Sequence, residues 1–143
     1  PLPRPMISSP DLDFSFSGLK TAVSILVRRL HVDEAARADV AASFQAAIID
    51  VLSAKSAAAL AWTGLRQLVV AGGVGANRAL RERLAMLGIE RGVKVFYPRL
   101  EFCTDNGAMI ALVGALRLAG TVTGPYGFAV RPRWDLGSLP IAV

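Results

Sequence analysis

The 143-residue chain is short of the side chains from which disulfides and metal clusters are built, with one cysteine, Cys103, and one histidine, His31. A lone cysteine excludes an intramolecular disulfide and any cysteine-cluster metal site, and it fits a reducing compartment, so a cytoplasmic protein is expected. A lone histidine rules out a His-Glu-x-x-His zinc motif. Without a Gly-x-Ser-x-Gly elbow, a triad built on Ser15 or Ser17 with His31 also lacks its frame. His31 reads instead as a residue at the carboxyl end of a helix, where it interacts with the helix dipole. Charge is sparse as well, 19% of residues against 53% hydrophobic, a balance that favours an ordered core over disorder. Long apolar runs are missing too. Arg, Asp, Lys or Gln interrupts each stretch before the roughly 20 residues a bilayer requires, so no membrane contact is expected. The amino end, Pro1-Leu2-Pro3-Arg4-Pro5, lacks both an initiator Met and a signal-peptide pattern, and reads as an internal cut. Acidic residues are outnumbered 11 to 16 by Lys and Arg, and this excess favours a polyanionic partner such as nucleic acid.

What is present is sufficient for one domain, or one lobe of a larger one. Residues 1–12 hold four of the eight prolines and read as an extended or looped lead-in, followed by an α/β lobe over 13–143. The alternation Asp13-Phe14-Ser15-Phe16-Ser17 predicts a half-buried strand. Leu19, Val23, Leu26 and Leu30 predict a short amphipathic helix over 19–30. A long helix follows, free of Pro and Gly from 34 to 63 and stopped by Gly64, with Val40, Phe44, Ala47, Ile48, Val51, Leu52, Ala58, Ala59 and Trp62 on its apolar stripe. Leu68 to Ala71 read as a buried, parallel strand ending at Gly72-Gly73. A helix over 76–87 turns Leu80, Leu84 and Leu87 inward and Arg78, Arg81, Glu82 and Arg83 outward, with Gly88 as its stop. Val93 to Tyr97 form another strand. Thr104 or Asp105 caps a helix over 106–118, in which Met109, Ile110, Val113 and Leu116 pack and which Gly120 ends. Gly124, Pro125, Gly127 and Pro132 mark a loose tail. Alternating strands and helices specify an α/β class, with ligands expected beyond the carboxyl ends of the strands.

Two stretches carry chemistry. Gly72-Gly73-Val74-Gly75-Ala76-Asn77 joins a strand to a helix, and its bare backbone and the helix amino end suit phosphate or ribose oxygens. It is neither a P-loop nor a dinucleotide fingerprint, since Arg78 stands where the last glycine would be. The residues leave open whether this is a nucleotide turn or a tight βα turn with Asn77 as cap. Glu101-Phe102-Cys103-Thr104-Asp105-Asn106-Gly107 gathers oxygen donors at a loop-to-helix junction, where Asp105 serves either as a cation ligand or as a helix cap. Lys20 and Lys55 read as phosphate contacts or solvated helix faces, and Cys103 as a small buried hydrophobe. Arg131, Arg133 and Trp134 offer charge and stacking to RNA, or an anchor for the tail.

Three stretches taken together resemble the TsaD family: Asp13-Phe-Ser-Phe-Ser-Gly-Leu-Lys20, Val70-Ala-Gly-Gly-Val-Gly-Ala-Asn-Arg78 and Tyr97-Pro-Arg-Leu-Glu-Phe-Cys-Thr-Asp-Asn-Gly-Ala-Met-Ile110. Val130-Arg-Pro-Arg-Trp134 resembles it too. The resemblance implies the carboxyl-terminal lobe of a two-lobed fold shared with actin, sugar kinases and heat-shock chaperone ATPases. It also implies a tRNA-modifying transferase that moves a threonylcarbamoyl group from threonylcarbamoyl-adenylate to N6 of adenosine 37, in tRNAs reading codons that begin with A, among protein partners of a threonylcarbamoyl-transfer complex. By the same resemblance Asn77 contacts the adenylate, Gly72 and Gly73 form the turn beside it, and Asp105 ligates a divalent metal ion, iron or zinc. The histidines that complete that metal site match a His-x-x-x-His pattern that this chain lacks, so the chain alone is expected to be inactive. No role follows for Ser15, Ser17 or Lys20. The rival reading is a non-catalytic nucleotide-binding or assembly lobe of a related scaffold, which would have little reason to keep both Asn77 and Asp105. An endopeptidase reading finds neither a zinc motif nor a nucleophile with its base.

Overall fold

The computed structural model describes residues 1–29, 33–104, 106–117 and 133–138, in two compact units, 1–103 and 104–143. The first unit holds α1 (Ser17–Arg29), α2 (Glu34–Thr63), β1 (Gln67–Val69), α3 (Arg78–Arg91) and β2 (Lys94–Phe96), and the second holds α4 (Gly107–Arg117). Short 3₁₀ turns lie at Gly73–Ala76, Leu100–Phe102 and Leu136–Ser138. The class is α/β, mostly helical, with β1 and β2 paired in parallel and Leu68 opposite Val95.

The long helix forms where the sequence lacks breakers. Asp33 caps α2 by accepting the Ala36 N–H at 2.8 Å, and Gly64 ends it in the left-handed region at φ 69°, as a helix stop requires. Its length and composition would also let it cross a bilayer. Its buried Ala47, Ala57 and Leu60, however, belong to two protein cores, and Asp50 and Lys55 near its middle are engaged by the lead-in. In one core Ala57 and Leu60 meet Leu80, Leu84, Leu87 and Val93; in the other Ala47 meets Leu2 and Leu19. Ala58 and Trp62, expected on the apolar stripe, are exposed, because the buried side of the helix at this end runs through Ala57 and Leu60 instead.

The lead-in is looped and closely held. Leu2 is buried, and Arg4 pairs with Asp50 at 2.9 Å. Lys55, read as a phosphate contact or a solvated cation, is 5% exposed, and its three N–H groups reach Ser9 O, Ser9 Oγ and Asp11 O at 2.7–3.0 Å. A buried ammonium needs all its donors met, and the loop satisfies them. The Ser9 hydroxyl donates to Asp11, which together with Lys55 holds that carboxyl below the usual range.

Several expectations are corrected. Residues 13–17 form no strand: Ser17 already opens α1, and Phe14 and Phe16 rest on each other with ring centroids 5.5 Å apart. The alternation is real but has no partner strand. Gly88 is buried inside α3 rather than ending it; a Cβ there would lie 2.7 Å from Val93 O. The stop is Gly92 at φ 63°, with Val93 N–H donating to Gly88 O at 2.8 Å. The β1 strand is not buried, since Val69 is largely exposed. In α4 the cap is Asn106, whose Oδ1 accepts the Met109 N–H at 3.0 Å. Met109, Ile110, Val113 and Leu116 are exposed rather than packed. His31, Gly120, Gly124, Pro125, Gly127 and Pro132 lie outside the described residues.

Candidate functional site

Past β1 the chain must reverse within a few residues to enter α3, and glycine makes this possible. Gly72 takes φ 82°, a region that side-chain-bearing residues rarely adopt. Its carbonyl accepts the Gly75 N–H at 2.9 Å, and Val74 O accepts the Asn77 N–H at 3.0 Å, closing the 3₁₀ turn. A Cβ on Gly72 or Gly73 would meet nothing within 4 Å, so this backbone borders open space. Gly75 is buried, and a Cβ on it would lie 3.4 Å from Val70 O.

Asn77 stands where the turn becomes helix. Its Oδ1 accepts the Leu80 N–H at 3.0 Å, and its Nδ2 donates to Gln45 Oε1 on α2 at 3.0 Å. Capping is therefore one of its functions. It also lines a groove of about 720 Å³, together with Phe16 and Lys20 at the start of α1, Phe44, Gln45 and Ile48 on α2, and Gly73 and Val74. The groove is apolar, with a few polar groups at its edge, the composition of a small-molecule site.

Arg81, expected to face outward, braces the turn from behind. Its Nε donates to Gly75 O, its Nη2 to Pro98 O at 3.0 Å and to Cys103 Sγ at 3.3 Å, and its guanidinium lies 4.7 Å from the Tyr97 ring centroid. Tyr97 OH donates to Arg81 O at 3.1 Å, and burial pushes this phenol's pKa up against the opposing pull of the Arg81 charge. Cys103 is buried, as expected, and also accepts from Arg81.

Of the expected site residues, Gly73 and Asn77 meet in the groove and Gly72 adjoins them through the turn. Asp105 lies outside the described residues, as does Arg131. Asn106 Nδ2 donates to Thr104 O at 2.9 Å while its Oδ1 caps α4, so both ends of that carboxamide are committed. Among the described residues no three of His, Cys, Asp and Glu gather as a metal cluster. Ser15 Oγ accepts the Ser17 N–H at 3.4 Å, outside the groove. Arg133 and Trp134 are exposed, and Trp134 Nε1 donates to Ser138 Oγ at 3.1 Å. Sequence reasoning missed Gln45. Its signal was a lone carboxamide on an apolar stretch of helix, between Phe44 and Ile48.

The family model described as tRNA N6-adenosine threonylcarbamoyltransferase, TsaD, matches residues 1–112. The chain belongs to the TsaD family. Relatives of that name include proteins of Methylobacillus flagellatus, 59% identical over 140 residues, and Thiobacillus denitrificans, 59% identical over 143 residues. Each comparison covers 96% of this chain and 41% of the relative. A third, from Variovorax paradoxus, is 57% identical over 142 residues, with 96% of this chain and 40% of the relative covered. The chain thus spans about two fifths of the length of the curated TsaD relatives it matches. The TsaD match takes in Gly72, Gly73, Asn77 and Asp105.

Proposed function

We propose that this chain is the carboxyl-terminal lobe of an actin- and sugar-kinase-like enzyme that transfers a threonylcarbamoyl group from threonylcarbamoyl-adenylate to N6 of adenosine 37 in tRNAs reading A-starting codons. The groove beside Asn77 takes the adenosine part of the adenylate. The observation that carries this reading is the open glycine turn meeting an apolar groove at a polar edge made by Asn77. Family membership and the names of the relatives support threonylcarbamoyl transfer to N6 of a tRNA adenosine as the general reaction.

In the transfer, the adenine N6 lone pair forms a bond to the carbamoyl carbon, the bond from that carbon to the adenylate phosphate oxygen breaks, AMP leaves, and N6 loses a proton. The amine is a poor nucleophile, so orientation and exclusion of water contribute much of the rate. Phe16, Phe44 and Ile48 supply the dry wall, Asn77 the directional contact, and Lys20 the cation among the groove's lining residues. Asp105, a hard oxygen donor whose neighbour Asn106 is already committed to its cap, would hold a divalent metal ion, iron or zinc, in part. That ion would supply electrophilic polarisation of the carbamoyl oxygen. Histidines absent from this chain would complete its ligands, so the chain by itself is inactive. Arg131, Arg133 and Trp134 lie near the tRNA path, and the enzyme works in the cytoplasm with protein partners of a threonylcarbamoyl-transfer complex.

The test separates ligand contact from capping. Asn77→Ser keeps an oxygen that accepts the Leu80 N–H but has no amide donor. In the full-length protein it should weaken AMP binding, measured by calorimetry, by about 1–3 kcal/mol, the cost of an unmet polar contact. Unchanged affinity would leave Asn77 as a cap and return the groove to mere packing.

A further inference from the structure

The Asn77 carboxamide is not free to choose its orientation. A backbone N–H only donates, so the atom facing Leu80 N at 3.0 Å must be the oxygen, Oδ1. The other atom is then Nδ2, a donor, and the Gln45 atom 3.0 Å away must be its acceptor, Oε1. The amino terminus of α3 thereby fixes the polarity of both amides in sequence. Gln45 keeps a whole NH₂ group, and Asn77 keeps one Nδ2 hydrogen. Neither has a further partner among the described residues, and both side chains line the groove.

We propose that Gln45 is a positioning residue of the adenylate site, holding the Asn77 carboxamide so that its remaining N–H meets an acceptor of the bound nucleoside. This rests on the reading of the groove as the adenosine pocket. Two consequences follow from the chemistry. The hydrogens left over on Asn77 Nδ2 and Gln45 Nε2 are donors, and Lys20 is the charged residue among the groove's lining, so the site suits acceptors such as an unprotonated ring nitrogen or a ribose oxygen. A side chain at 45 that still accepts from Asn77 also preserves the arrangement, whatever its other end carries.

The full-length protein is titrated with adenosine, whose neutrality removes charge repulsion from the comparison, and with AMP. Gln45→Leu should weaken adenosine binding about tenfold, the worth of one net hydrogen bond, and raise KM for the adenylate with kcat little changed. Gln45→Glu, whose carboxylate still accepts the Asn77 N–H, should bind adenosine within about threefold of the parent while binding AMP less well. In the Gln45→Leu, Asn77→Ser double variant the losses should not add, because the two residues act through one contact. Additive losses, or a Gln45→Leu variant that binds adenosine like the parent while Asn77→Ser does not, would overturn the positioning role and leave the groove reading intact. If Asn77→Ser itself leaves adenosine binding unchanged, the groove reading fails and this proposal with it. Thermal unfolding of each variant identifies any loss that comes from misfolding.

Discussion

At the scale of single residues, the junction before α4 has one settled role, the cap, and one proposed role, the metal ligand at Asp105. Thr, Asp and Asn all satisfy exposed N–H groups at a helix start, so composition alone assigned the cap to Thr104 or Asp105. The cap is Asn106, through the Met109 N–H. Asn106→Ala should therefore cost about 1 kcal/mol of stability, the usual worth of a cap, while the divalent metal proposed for the full-length protein is retained. Asp105→Asn should do the reverse, changing stability of the chelated protein by less than about 1 kcal/mol while metal is lost. Elemental analysis alongside thermal unfolding, with and without chelator, reads both effects. An Asp105→Asn protein with full metal content would remove Asp105 from the ligand set.

At the scale of elements, what was legible depended on whether a local signal had one meaning. The α2 helix was legible because the stretch 34–63 has no breaker and Gly64 has only its left-handed stop to explain. The strand at 13–17 was misread because alternation marks a strand only if another strand lies alongside. Gly88 was misread for a subtler reason, since glycine late in a helix signals either a stop or a close approach, and only the packing distinguishes them. The candidate site was legible as far as its glycines and Asn77; Gln45, distant in sequence, became visible only when α2 was laid against the turn. The packing reading of Gly88 is testable. Ala normally gains close to 1 kcal/mol over Gly inside a helix. At Gly88 the new Cβ would lie 2.7 Å from Val93 O and 3.0 Å from Val95 Cγ2, backbone and β2 atoms that cannot both yield. Gly88→Ala should therefore destabilise by about 1–3 kcal/mol in denaturant unfolding, the cost of overpacking. Gly114→Ala in α4, where the Cβ meets nothing within 4 Å, should be neutral or stabilising. Equal effects at the two positions would make Gly88 an ordinary helix glycine.

At the scale of the whole molecule, apolar surface is left over. A two-stranded sheet is marginal by itself and needs cover. Leu68 and Val95 face the core with Leu84 and Leu87, but Val69 and Phe96, the paired residues beside them, are exposed, as are Trp62 and Leu65 nearby in sequence. An exposed apolar pair on a strand face, such as Val69 with Phe96, suits a surface that another part of a protein covers, and the relatives are more than twice the length of the matched segment. The chain expressed by itself should therefore bind a hydrophobic dye such as anilinonaphthalene sulfonate in its native state, and should show a sedimentation coefficient that rises with concentration. Replacing Val69 and Phe96 together with Thr keeps strand propensity and removes the apolar face. Dye binding and self-association should then fall at least severalfold with the midpoint of thermal unfolding nearly unchanged, because neither side chain is part of the core that holds α2 to α3. The full-length protein should bind little dye whichever residues stand at 69 and 96. A parent chain that stays monomeric and dye-silent at high concentration would mean that the exposed face of the sheet needs no cover, and that the fold closes on the two strands alone.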